Sequence, residues 1–179
     1  FNMNREKISL KAAQEGIVLL KNEDNILPLK KKSPVCIFGR GQNEFYKGGR
    51  GSGDVNSAYY IDIPSGLKQS GFIINEKLLS AYKKKGTATK KQIISASDFA
   101  ENAVAVISRN STEFWDREIK NDFTLKAEEE NLLSILEKSD FKSIILILNI
   151  AGLIDFEFLK KYKKIKAVLL CFLPGMEGG

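Results

Sequence analysis

The chain of 179 residues predicts an α/β fold: a mostly parallel sheet flanked by helices on both faces. Three observations carry this. Continuous apolar runs at 34–39, 103–108, 143–149 and 167–172 read as strands buried on both faces, as in a parallel sheet. Segments with helical spacing lie between them, and no tight hairpin signal interrupts the alternation. Right-handed crossovers then place helices on both faces. The length fits one domain over 1–179, in which 1–33 form a leading helix and extended segment and 34–179 the sheet with its crossover helices.

Taken in order, residues 5–21 read as an amphipathic helix, because Ile8, Ala12, Ala13, Ile17 and Leu20 recur at steps of three and four. Asn22 to Asn25 break it, and Pro28 makes 26–29 extended. The strand at 34–39 runs into a loop rich in glycine: Gly41, Gly48, Gly49, Gly51 and Gly53. A short helix is expected at 64–70, a strand at 71–74, and a helix at 76–85 that Gly86 caps. Residues 86–92 look loose, and 97–102 form a short helix before the strand at 103–108. The helix at 126–137 shows Leu132, Leu133 and Leu136 on one face, with Thr124 as its cap. Residues 155–162 complete the set as a helix between the last two strands.

Composition excludes several classes. A hydrophobic content of 43% supports a core, and 28% charged residues fit a folded surface. The net charge of +6 is scattered along loops and helix ends without aromatic interleaving, so no nucleic-acid partner is expected. No apolar run reaches the roughly 20 residues of a membrane span, so no membrane partner is expected either. The chain has no histidine, which rules out within it a Ser-His-Asp triad, a Cys-His pair and His-ligated zinc. Proton transfer must fall to Glu, Asp, Lys, Tyr or Cys. Cys36 and Cys171 sit in apolar runs without CxxC spacing and read as buried thiols in neighbouring strands. No metal and no cofactor is called for. A chain that opens Phe1-Asn2-Met3 and closes on Gly178-Gly179 reads as a fragment of a longer protein, which leaves localisation open with the cytoplasm favoured.

Two loops carry candidate chemistry. Gly39-Arg40-Gly41-Gln42-Asn43-Glu44 begins like a dinucleotide fingerprint, but Glu44 replaces the third glycine and its carboxylate would repel a pyrophosphate. The run from Gly48 to Asp54 lacks the Lys-Ser/Thr end of a P-loop; its glycines allow close approach to a neighbour or a sugar. The second loop follows the strand at 103–108 and holds Glu113, Phe114, Trp115, Asp116 and Arg117. A carboxyl group between aromatics can have its pKa raised by desolvation, and Trp115 offers a stacking face to a sugar ring. Asp116 can pair with Arg117. The same loop also reads as a solvated connection, and spacing alone does not separate the two.

The stretch Ala12-Ala13-Gln14-Glu15-Gly16-Ile17-Val18-Leu19-Leu20-Lys21-Asn22 with Leu27-Pro28-Leu29 resembles the opening of the C-terminal domain of glycoside hydrolase family 3. The glycine loop through Asp54 and Val55, the Ser111-Thr112-Glu113-Phe114-Trp115-Asp116-Arg117 loop, Leu125 with Glu128 to Leu133, and Pro174-Gly175-Met176-Glu177-Gly178-Gly179 are similar to further motifs of that family, in the same order. The resemblance implies a six-stranded α/β sandwich packed on a separate N-terminal (β/α)8 barrel, in a retaining β-glycosidase of the β-glucosidase kind. Glu113 would then be the general acid/base. Trp115, Asp116, Arg117, Gly51, Ser52 and Asp54 would border a β-linked sugar or oligosaccharide, and the nucleophilic aspartate would come from the barrel. The isolated chain would be inactive. Thr112 and Phe114 stand where the family has glycines, which favours an alternative: a carbohydrate-binding or interaction module that kept the fold without the chemistry.

Overall fold

A computed structural model describes residues 4–112 and 116–179. Six strands form one sheet: β1 (Val18–Asn22), β2 (Pro34–Phe38), β3 (Ile73–Ile74), β4 (Asn102–Arg109), β5 (Ser143–Ile150) and β6 (Ile165–Leu170). Their order across the sheet is β1-β6-β5-β4-β2-β3. All neighbours are parallel except β1, which runs antiparallel to β6 along one edge. The α/β fold with a mostly parallel sheet is as the sequence implies.

The central strands are apolar on both faces because both faces are covered. Ala103, Ala105, Ile107, Ile144, Leu146 and Leu148 pack against α3 (Glu76–Lys85), α4 (Lys90–Ser95), α5 (Ala127–Lys138) and Tyr162. Alternating with them, Val35, Ile37, Val104, Val106 and Ile145 face α2 (Ile63–Gln69) and the extended segment at Leu27 and Leu29. Each fully buried side chain of this size contributes roughly 1.5–3 kcal/mol of apolar burial. Phe38 and Phe141 meet edge to face at 5.6 Å inside the first layer.

Several local expectations give way to tertiary packing. The helix expected over 5–21 is α1 (Arg5–Gly16) only. Ile17 turns extended, and 18–22 become β1, because Val18 and Leu19 find Leu170 and Leu169 across the edge of β6. Lys21 Nζ fixes this edge by donating to the Ile165 carbonyl at 2.7 Å. The supposedly loose 86–92 holds the start of α4, whose Thr89 and Gln92 cap it reciprocally. Gly86 does close α3, with φ of 66°. Thr124 does not cap α5: its hydroxyl bonds the Ile119 carbonyl at 3.1 Å, and Glu129 accepts from Lys126 N at 2.9 Å instead. The expected helix at 97–102 is a 3₁₀ turn at Ala96–Asp98, with Asn102 already in β4. That at 155–162 is likewise a 3₁₀ turn at Glu157–Lys160. The two thiols are buried and free as expected, but not on neighbouring strands: Cys36 is in β2, Cys171 follows β6, and β4 and β5 lie between.

Candidate active site at the C-terminal edge of the sheet

The parallel strands β2, β4, β5 and β6 all deliver their following loops to one edge of the sheet, where an α/β protein places its chemistry. Asn149, at the end of β5 and fully buried, stitches these loops together. Its Oδ1 accepts from Tyr46 N at 2.7 Å. Its Nδ2 donates to the Tyr46 carbonyl at 2.9 Å and to the Phe172 carbonyl at 2.8 Å. One side chain thereby holds the loop after β2 and the segment after β6.

The glycine loop lies on this frame. Gly51 and Ser52 belong to an exposed 3₁₀ turn, Gly51–Gly53, closed by Asp54 N donating to the Gly51 carbonyl at 3.1 Å. Asp54 is exposed, with its carboxylate 3.9 Å from Lys47 Nζ. Lys47 Nζ also donates to the Val55 carbonyl. The C-terminal segment is sewn alongside: Gly175 N donates to the Lys47 carbonyl at 2.9 Å, and Ile61 N to the Met176 carbonyl at 2.7 Å. Tyr59 donates its phenol to Glu177, whose carboxylate pushes the phenol pKa up to about 12. Arg50 N donates to the Ser111 carbonyl at 3.0 Å, which joins the glycine loop to the loop after β4.

Glu113, Phe114 and Trp115 lie outside the described residues. Asp116 is exposed, and it forms no ion pair with Arg117 among the described residues. Arg117 instead lies over Gly152, where an added Cβ would stand 2.5 Å from Nη1, and donates through Nη2 to the Asp122 carbonyl at 2.8 Å. Glu118 N donates to Asp122 Oδ2 at 3.2 Å. From the other side, Arg109 at the end of β4 donates through Nε to the same Asp122 carbonyl at 3.3 Å. Arg109 is 3% exposed and pairs bidentately with Glu129 of α5, both bonds 2.6 Å. The loop after β4 is therefore tied at both ends. Arg109, Glu129, Asp122 and Asn149 were not singled out in the sequence, although Arg109 and Asn149 each close an apolar strand with a polar residue.

The resemblance to a dinucleotide site does not survive the geometry. Glu44 pairs with Arg40 at 2.9 Å. Gly39, with φ of 93°, is required because a Cβ would stand 2.2 Å from the Val106 carbonyl, so the turn packs on β4.

The fold and this edge define a mostly parallel α/β domain that presents a glycine loop, a post-strand loop and a C-terminal glycine segment to one side. Residues 17–179 match the model of the glycosyl hydrolase family 3 C-terminal domain, and the chain belongs to that family. It is 32% identical to beta-glucosidase A of Butyrivibrio fibrisolvens, over 97% of this chain and 26% of that protein. Against probable beta-D-xylosidase 6 of Arabidopsis thaliana it is 26% identical over 98% of this chain and 22% of that protein. Among solved structures, beta-glucosidase 3B from Thermotoga neapolitana, in complex with alpha-D-glucose, superposes with a TM-score of 0.89 at 31% identity, covering 98% of this chain and 28% of that one. The chain spans about a quarter of the length of these relatives.

Proposed function

We propose that the protein to which this chain belongs is a retaining β-glycosidase of the β-glucosidase kind, and that residues 1–179 form the domain supplying its acid/base loop. The observation that carries this reading is the hydrogen bond from Arg50 N to the Ser111 carbonyl, 3.0 Å. It brings the loop of Gly51, Ser52 and Asp54 against the segment that leads directly into Glu113.

In a retaining double displacement, two carboxyl groups flank the scissile bond about 5 Å apart. Glu113 protonates the leaving oxygen and then, as the carboxylate, deprotonates the incoming water. The nucleophile is an aspartate of the (β/α)8 barrel, the partner domain. Trp115 stacks on the sugar ring of a β-linked substrate, while Gly51, Ser52 and Asp54 border it. Asp116 and Arg117 order the loop, the latter through its bond to the Asp122 carbonyl. The isolated chain then hydrolyses nothing, since half of the carboxyl pair is elsewhere.

The test is Glu113→Ala in the full-length protein, with the isolated chain assayed beside it. Alkyl glucosides need a protonated leaving group and activated aryl glucosides do not, so the variant loses turnover far more on the former, by about 10²–10⁴-fold. Azide restores turnover on the aryl substrate by attacking the glycosyl-enzyme without base assistance. Equal losses on both substrates with no azide rescue would remove Glu113 from the acid/base role and move that role to another carboxylate, with Glu118 or Glu44 the next to test.

A further inference from the structure

A concavity lies at the same edge of the sheet, between the first turn of the loop after β2 and the N-terminal turn of α5. The chain leaves β2 towards β3 by way of α2 on one face, and leaves β4 towards β5 by way of α5 on the other. The connections diverge between β2 and β4, and this is the topological switch point at which open α/β sheets hold ligands. A cavity of about 560 Å³ opens there, within the usual range for small-molecule sites. None of Gly51, Ser52, Asp54, Asp116 or Arg117 lines it.

Its floor is apolar: Tyr82, Ala88, Ile93, Ala105 and Leu133, all buried. The small side chains of Ala88 and Ala105 leave the space between α3 and α5. Its charged rim is largely self-neutralised. Arg40 is paired with Glu44 at 2.9 Å, and Glu129 with Arg109 at 2.6 Å. Lys85 and Lys126 line the cavity without an ion pair among the described residues, and so does Glu128. Two unpaired ammonium groups against one carboxylate leave a rim that favours a single negative charge.

We propose that this cavity binds a small organic monoanion, its apolar ring or short chain on the floor and its carboxylate paired with Lys85 and Lys126. The site is independent of the acid/base assignment of Glu113.

Benzoate is the probe, with benzyl alcohol as its neutral counterpart and glucose as a polyol control, each titrated into the ¹⁵N-labelled protein and followed by amide shifts. Benzoate moves Gly86, Ala88, Ile107 and Leu133 saturably, and more tightly than benzyl alcohol or glucose. Lys85→Gln and Lys126→Gln each weaken binding about threefold, as loss of a solvent-accessible charge contact should. Ala88→Leu fills the cavity and abolishes binding; if that variant fails to fold, the two lysine variants decide. The proposal is overturned by any one of four results. These are no saturable shift up to roughly 50 mM benzoate, benzyl alcohol or glucose binding as well as benzoate, shifts confined to residues 47–56, or lysine variants that bind unchanged.

Discussion

Replacing Arg109 by Met should destabilise the domain through one identifiable event. Met keeps most of the apolar stem and removes the guanidinium. Arg109 is 3% exposed and the Glu129 side chain 15% exposed, and two 2.6 Å bonds join them. Without the guanidinium, Glu129 keeps only its bond from Lys126 N, at 2.9 Å, among the described residues. The carbonyls of Ser108, Asp122 and Thr124 each lose a donor. Breaking a buried pair costs about 3–5 kcal/mol. The residual solvent contact of Glu129 places this case near the lower end, about 3 kcal/mol. For a domain of this length that is a fall in Tm of about 6–12 °C.

Urea unfolding followed by circular dichroism measures the effect, with an unchanged m-value showing that stability alone has moved. The companion variant, Arg109→Met with Glu129→Leu, removes both charges and should recover more than half of the loss, because an apolar pair often replaces a buried ion pair at little cost. A loss below about 1 kcal/mol for Arg109→Met would refute the reasoning, since it would mean that the pair is hydrated and weak. So would a double variant in which the two losses simply add, because residues in direct contact should couple.

Asn149→Leu should cost about 3 kcal/mol, since it leaves Tyr46 N and the carbonyls of Tyr46 and Phe172 without their buried partner. Hydrogen exchange should rise at Tyr46, and an unchanged rate there would refute the stitch. Gly39→Ala should cost at least about 2 kcal/mol, because φ of 93° and a Cβ 2.2 Å from the Val106 carbonyl cannot both be accommodated; an unchanged urea midpoint would contradict this. Burial raises the thiol pKa of Cys36 to about 11 and that of Cys171 to about 12. Both thiols therefore stay protonated in the folded state while the unfolded thiols ionise near their ordinary value. This contribution is complete below pH 8 and is lost as pH rises from about 9 towards 12. Folded protein at pH 8 should leave both thiols unmodified by a disulfide reagent until denaturant is added, and rapid labelling of either without denaturant would show that the burial is wrong.

The sheet was legible because burial on two faces writes itself as unbroken apolar runs. The strands at 103–108 and 143–149 sit inside β4 and β5 with at most one residue of difference at either end. The leading segment departs from its helical pattern for a physical reason. Ile17 and Leu20 keep a helical step, but Gly16 closes α1, and the free edge of β6 offers Val18 and Leu19 backbone partners that a helix cannot match. The opposite departure at 86–92 comes from polarity: Thr89 and Gln92 look like loop residues, and here they form a reciprocal cap.

The candidate site was legible as a pair of loops and not as an assembly. Periodicity describes how a segment packs on the sheet, and nothing in it encodes which carbonyl at the sheet's rim a distant side chain will reach. Asn149 contacts Tyr46, 103 positions earlier in the chain, and Arg109 contacts Glu129, 20 positions later. Both nevertheless left a trace. Each closes an apolar strand, and a polar side chain held at that depth must find partners or pay heavily in desolvation. At the C-terminal edge of a parallel sheet the available partners are the backbone groups of neighbouring loops. A polar residue that ends a doubly buried strand therefore points to a stitch between loops: Asn149 ties the entry to the glycine loop to the segment after β6, and Arg109 ties the end of β4 to residues 122–129 beyond Glu113 in the sequence.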